Sequence, residues 1–157
     1  MWQRKQSLFL FLAAALSFAT WAFPVATYDQ GGAAYEFRTT GLYGAGGMEL
    51  VDVGMKIPFS IILSVLGLAL LLTIALYKNR PRQMRFVRGT YLLMLGVIAF
   101  LFITDNSMRA YLERSGEVVG HYGPSFYFPM VILVLAFLAE RGIRKDEDLV
   151  RSVDRLR

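Results

Sequence analysis

The sequence predicts an all-α integral membrane protein, a four-helix transmembrane bundle with a small external β-hairpin, built by residues 1–157 as a single membrane domain. Three observations predict it. The apolar residues are gathered into four uncharged blocks, 8–26, 57–77, 89–104 and 122–139, rather than spread at the period of a one-sided helix or strand. The 157 residues are 55% hydrophobic and 18% charged, with a mean hydropathy of +0.45. That is too apolar for a disordered chain, and it leaves too little polar sequence to cover four such blocks in water. Finally, 13 of the 17 Lys and Arg residues fall on one side of the alternating blocks.

The first block follows Arg4 and Lys5 and runs uncharged for 19 residues, about 28 Å of helix at about 1.5 Å per residue against a hydrocarbon core of about 30 Å. Its start also has the pattern of a secretory signal peptide, with a conceivable cleavage after Ala22 and Thr20 at the minus-three position. The apolar run continues through Trp21, Phe23 and Val25, beyond the usual signal core of roughly 7–15 residues, which favours a retained span. The external loop 27–56 comes next. Tyr35, Phe37 and Thr39 alternate with Glu36, Arg38 and Thr40, the period of a half-exposed strand, and 48–53 supplies its partner across the Gly-rich turn 43–47.

The second and fourth blocks are long enough to span the bilayer. The third, at about 24 Å of helix, needs to begin near Gln83, with Arg85 and Arg88 extending their stems to the headgroups. Segment 105–121 reads as its helical continuation into water, with Asp105, Arg109, Glu113 and Glu117 at four-residue intervals, before Gly116, Gly120, Gly123 and Pro124 turn the chain back. The tail 143–157 places Leu149, Val153 and Leu156 on one face of an amphipathic cytoplasmic helix.

Orientation follows from the basic residues. The inner side carries Arg4 and Lys5, then Lys78, Arg80, Arg82, Arg85 and Arg88, then Arg141, Arg144, Lys145, Arg151, Arg155 and Arg157, for a net charge of +8. The outer side carries seven acids and four bases, a net −3. Both termini are therefore expected in the cytoplasm. The same placement accounts for the basic pI of about 9.7, and the aromatic residues sit in or beside the spans where bases cannot stack on them, so no nucleic acid partner is expected.

Little of the usual chemistry of sites is present. The absence of cysteine removes disulfides, thiolate nucleophiles and thiolate metal sites. The four blocks hold no Asp, Glu, Lys, Arg or His, the residues by which ion-coupled transporters work at membrane depth, while His121 and Glu140 stand just outside their edges. His121 is a lone imidazole, and the Gly-rich run GLYGAGG is not followed by a helix start, so neither a metal nor a phosphate loop is assigned. No catalytic, cofactor-binding or metal residue is therefore expected, and no cofactor. Small residues do form faces suited to close helix packing: Ala15, Ala19, Ala22 and Ala26; Ser60, Ser64 and Gly67; Gly89, Gly96 and Ala99.

Three stretches, MWQRKQSLFLFLAAAL, YKNRPRQMRFVR and IRKDEDLVRSVDRLR, together resemble signature segments of an uncharacterised bacterial family of four-span inner-membrane proteins, a domain of unknown function found mainly in Bacteroidota. The resemblance covers 43 residues at the two ends and the internal loop, and through the spans it is one of general hydrophobicity. It implies four retained spans, a bacterial inner-membrane location and cytoplasmic termini, and it carries no activity. All three segments lie on the cytoplasmic side. Contacts with anionic lipid or a partner are therefore expected at Lys78, Arg80, Arg82, Arg85, Arg88, Arg144, Lys145, Arg151 and Arg155. The partners expected are membrane lipids and a membrane or cytoplasmic protein. The function read from this is a non-catalytic assembly or partner-binding component. The alternative is a lipid-handling enzyme or carrier using the basic loop, which requires a polar lateral groove opening near 78–88.

Overall fold

Uncharged helix-forming residues in each block give four helices, whose ends are set by prolines, caps and the residues that leave for a sheet. The computed structural model describes residues 3–44, 46–50 and 57–154. In chain order it comprises α1 (Gln3–Ala19), β1 (Ala26–Gln30), β2 (Ala33–Arg38), β3 (Gly41–Tyr43), α2 (Phe59–Ala75), α3 (Arg80–Leu112), β4 (Val119–Tyr122) and α4 (Pro124–Asp154). The protein is mostly helical. Three helical stretches, Phe59–Lys78, Arg80–Ser115 and Pro124–Val150, are long and apolar enough to cross a membrane, and Lys5–Ala19 is a shorter apolar helix.

The helices pack in a ring, α1 against α2 and α4, and α3 against α2 and α4. On α3 the buried residues Gln83, Val87, Thr90, Met94, Val97, Leu101, Asp105, Met108 and Leu112 recur every three or four positions, one continuous inward stripe. Leu10, Leu63, Leu70, Ile132 and Ala136 meet it from the other three helices. The outward faces are just as apolar, with Leu8, Phe11, Ile61, Leu72, Leu93, Ile103, Val134 and Phe137 all exposed.

Helix ends depart from the block boundaries for local reasons. Asn79 caps α3, its side-chain oxygen accepting the Arg82 N–H at 3.3 Å, with Pro81 in the first turn. The helix therefore starts at Arg80, ahead of the expected Gln83, and carries Arg85 and Arg88 within it; it continues beyond the third block as expected, but only to Leu112 and a short 3-10 turn at Glu113–Ser115, so Glu117 falls outside it. The first block is corrected in the other direction. Its helix stops at Ala19, turns through Phe18–Trp21 and Ala19–Ala22 backbone hydrogen bonds, and meets Pro24, which cannot continue a helix. Residues 25–26 then join the sheet rather than a span.

The expected hairpin is part of a larger antiparallel sheet, ordered β3-β2-β1-β4. The strand expected at 35–40 is present as β2, Ala33–Arg38, with 39–40 forming the turn to β3, and its partners are β1 and β3. Across the Gly-rich turn the pairing is between Tyr43 and Glu49, while 51–53 of the expected partner strand lie outside the described residues. The β1–β2 turn is a two-residue loop at Gly31 and Gly32, with φ of 56° and 89°. Two successive positive φ values match the twist of a tight hairpin, and glycine adopts them without steric cost. β4, from the stretch expected to be only a turn, closes the sheet against β1.

The sheet is fastened to α2 and α3, and the link from α1 into the sheet is fastened to α4. Ser60 N–H of α2 donates to Thr39 carbonyl at 3.2 Å, Gln30 Nε2 donates to Leu112 carbonyl of α3 at 2.8 Å, and Ser125 Oγ of α4 donates to the carbonyls of Thr20 and Phe23 beyond α1. At the centre, the Tyr28 hydroxyl donates to an Asp105 carboxylate oxygen at 2.6 Å, with Tyr28 2% and Asp105 6% exposed. Asp105 thus turns inward to the sheet instead of meeting Arg109, which pairs with Glu113 at 2.9 Å. Burial, then the hydrogen bond and charge of Asp105, hold the Tyr28 phenol well above its ordinary titration range.

Tyr28→Phe leaves a buried carboxylate without its donor and is expected to cost about 1–3 kcal/mol, read as a lowered unfolding midpoint in detergent. The sign of the pH effect is fixed, because a raised native pKa favours the protonated phenol in the fold. The stabilisation is complete below about pH 10, where unfolded tyrosine also holds its proton, and is lost as pH rises above it. The difference in stability between the parent chain and Tyr28→Phe should therefore shrink above about pH 10; a constant difference would overturn this account.

Candidate functional site

At the end of the bundle away from the sheet, where sequence reasoning placed the basic contact residues, the structure brings several together but uses some of them for other purposes. Arg88 donates through Nε at 3.0 Å and Nη2 at 2.5 Å to Glu140 Oε1, joining α3 to α4. Glu140 is 7% exposed, so a carboxylate at the edge of an apolar block is matched by a cation on the facing helix. Arg80 Nη1 donates to the Asp146 carbonyl at 3.1 Å, and Gln6 Nε2 donates to Asp146 Oδ2 at 2.7 Å, tying α3 and α1 to the same turn of α4. Gln83 Nε2, buried, donates to Thr73 carbonyl at 3.1 Å where α2 ends.

Two of the nine expected contact residues, Arg80 and Arg88, are thus interhelical ties. Lys78, Arg82, Arg85, Arg144 and Lys145 are exposed on this surface. Arg151 lies in the last turns of α4, where only the backbone is described, and Arg155 lies outside the described residues. Gln6, Gln83, Glu140 and Asp146 were missed as functional partners. A signal existed for one of them: Arg88 and Glu140 both stand at the inner edge of their blocks, and an in-and-out chain path puts those edges level.

Elsewhere on the bundle's surface, concavities among the described residues include a groove and a hollow. The first is a groove of about 390 Å³ between α2 and α3, lined by Ile57, Phe59 and Val65 on one side and Leu93, Gly96 and Phe100 on the other. A Cβ added to Gly96 would meet nothing within 4 Å, so that wall of the groove is open. It is apolar and lies toward the sheet end, not beside 78–88 where the lipid-handling alternative required a polar groove. The second is a hollow of about 330 Å³ beside the sheet, lined by Trp21, Glu36, Arg38, Thr40, Tyr43 and Gly47.

The small faces are partly redrawn. Ser60 and Gly67 are buried, and a Cβ on Gly67 would lie 3.0 Å from the Ser17 Cβ, which makes α1 and α2 a close pair. On α1, however, Ala15 and Ala22 are exposed and the packing face is Ala13, Ala14 and Ser17; on α3, Gly89 and Ala99 are exposed. His121 lies exposed on β4 opposite Thr27. No group of three or more His, Cys, Asp and Glu residues able to hold a metal occurs among the described residues.

Fold and surface define a class: a helical protein with three apolar helices of membrane-crossing length, capped at one end by a small antiparallel sheet. Within that class the particular family can be stated. A family model described as a domain of unknown function, DUF4293, matches residues 2–156, and the chain belongs to that family. The likeness thus runs through the helices as well as through the three segments that first suggested it. No curated protein matches the chain.

Replacing Arg88 by Gln strands the Glu140 carboxylate between α3 and α4 and should lower the unfolding midpoint in detergent; Arg88→Gln with Glu140→Gln should recover part of the loss. Arg82→Gln and Arg85→Gln should leave it unchanged. Equal loss for all three arginine variants would show that the ion pair has no special weight.

Proposed function

We propose that the protein is a four-span component of the bacterial inner membrane, with both termini in the cytoplasm, and that it acts by binding another membrane protein rather than by catalysis. The observation that supports this best is the open α2/α3 seam, an apolar groove in a surface that is apolar all round. A membrane-spanning segment gains little from apolarity alone when lipid is the alternative. A concavity floored by Gly96 adds the close contact that does drive helix association in lipid.

The fourth span in this reading is α1. It is shorter than the other three, its uncharged part from Gln6 to Ala19 reaching about 21 Å of helix, and Leu8, Phe11, Leu12 and Phe18 point outward as on its neighbours. Trp21 and Phe23 then stand exposed at its outer end, where aromatic residues favour the interface. The 13 basic residues keep the opposite end inside.

The chain has no cysteine, so single introduced cysteines report without background. A cysteine-directed photo-crosslinker at Val65 in native membranes should give one discrete protein adduct, and Gly96→Phe, which fills the groove without backbone conflict, should reduce it at least tenfold while the protein remains folded. Adducts with lipid alone would overturn partner binding. Reporter fusions after residue 157 and within 105–117 test orientation separately, with cytoplasmic and periplasmic signals expected in turn.

A further inference from the structure

We infer that the hollow beside the sheet is a binding site for the headgroup of a phosphoethanolamine lipid. The inference takes from the reading above that this end of the bundle meets the outer leaflet, but the chemistry of the hollow stands on its own geometry.

The hollow is a product of strand pleating. Glu36 and Arg38 are alternate residues along β2, so their side chains share one face while Phe37 on the other is buried against the bundle; Thr40, in the two-residue turn from β2 to β3, lines the hollow beside them, and its neighbour Thr39 is buried. Trp21 forms the opposite wall, its indole N–H donating to Ser64 Oγ of α2 at 3.0 Å. Tyr43 of β3 closes the side, its hydroxyl 3.0 Å from Thr40 Oγ1.

Charge decides what fits. Arg38 donates through Nε at 3.0 Å and Nη2 at 2.8 Å to the same Glu36 oxygen, which fixes a cation and an anion side by side. Their side chains remain 40% and 43% exposed, so both charges face the hollow without the burial that would reserve them for each other. A purely anionic ligand on Arg38 lies against Glu36, and a purely cationic one on Glu36 lies against Arg38. A ligand carrying phosphate and ammonium in sequence satisfies both. Trp21 and Tyr43 add ring faces for the ammonium, and the carboxylate favours an ammonium with N–H donors over a quaternary one. The position selects a lipid over a soluble zwitterion. α1, which ends two residues before Trp21, and α2, which supplies Ser64, carry exposed Phe18 and Leu68 on the adjoining turns, an apolar path for acyl chains leading away from the hollow.

Trp2 and Trp21 are the two tryptophans, so Trp2→Phe leaves Trp21 as the sole tryptophan of the full chain in micelles, read by selective tryptophan excitation. Titration with dihexanoyl phosphatidylethanolamine should give a saturable change in Trp21 emission, with affinity at least fivefold above that for the phosphatidylcholine and phosphatidylglycerol analogues and no response to soluble O-phosphoethanolamine. Arg38→Gln should abolish saturation, and Arg38→Lys should retain part of it. Glu36→Gln should transfer the preference to phosphatidylglycerol, a reversal that loss of fold cannot produce. Equal affinity for all three lipids, or an unchanged preference in Glu36→Gln, overturns the site; a response to O-phosphoethanolamine overturns the lipid as its source. Because micelles impose no sidedness, binding that persists while the fusions report inverted orientation would sink the topology and spare the site.

Discussion

A carboxylate buried on an apolar helix stripe must be given a donor, and in this chain the donor comes from a different layer. Asp105 sits between Leu101 and Met108 on the inward face of α3, and the Tyr28 hydroxyl reaches it from the sheet. An unpartnered carboxylate in that position would be costly, so the register of β1 over the end of the bundle is tightly specified. Once β1 is placed, β2 follows through the two-glycine turn and β4 through pairing with β1. The wall of the hollow beside Trp21 is set by the same contact. The 33 residues of α3 make sense in this light, because its outer turns are the surface on which the sheet rests.

The same requirement operates at the end of the bundle away from the sheet, with different partners. Glu140 is met by Arg88, and the turn of α4 at Asp146 is met by Gln6 and Arg80. Among the described residues, no buried side-chain nitrogen or oxygen lacks a hydrogen-bond partner. Because the exposed faces are as apolar as the core, burial of greasy surface discriminates poorly between one helix arrangement and another. Polar ties at both ends, with close contacts such as Gly67 on Ser17, supply the discrimination that hydrophobicity does not.

What was legible in the sequence follows from this division of labour. The helices were legible because uncharged runs of this length have few alternatives, and the extension of α3 was legible from its helical charge spacing. The end of α1 was not, because Val25 and Ala26 are apolar for burial under the sheet, and composition cannot tell that from burial in lipid. The β1–β2 hairpin did carry a signal, Gly31–Gly32 between two short strand-like runs, which was outweighed by the glycines at 41–47. Asp105 read as a partner for Arg109, although its place in the three-and-four spacing with Leu101, Met108 and Leu112 points inward. The basic contact residues were legible as a surface but not as ties, since Arg88 differs from Arg85 only by the helix face it occupies.

Neither concavity could be read from one segment. The groove needs α2 and α3 side by side with Gly96 at the seam, and the hollow needs a residue from the end of α1 laid against alternate residues of β2. Both depend on α2, whose outer turns present Ser64 to Trp21 on one flank and Val65 to the groove on the other. Consecutive residues of one helix thus serve a polar site and an apolar one. A shift of α2 along its axis would disturb both together, and the Ser60 N–H bond to Thr39 carbonyl opposes that shift from the sheet side. The sheet that caps the bundle therefore also holds in place the helix on which both surface features rest.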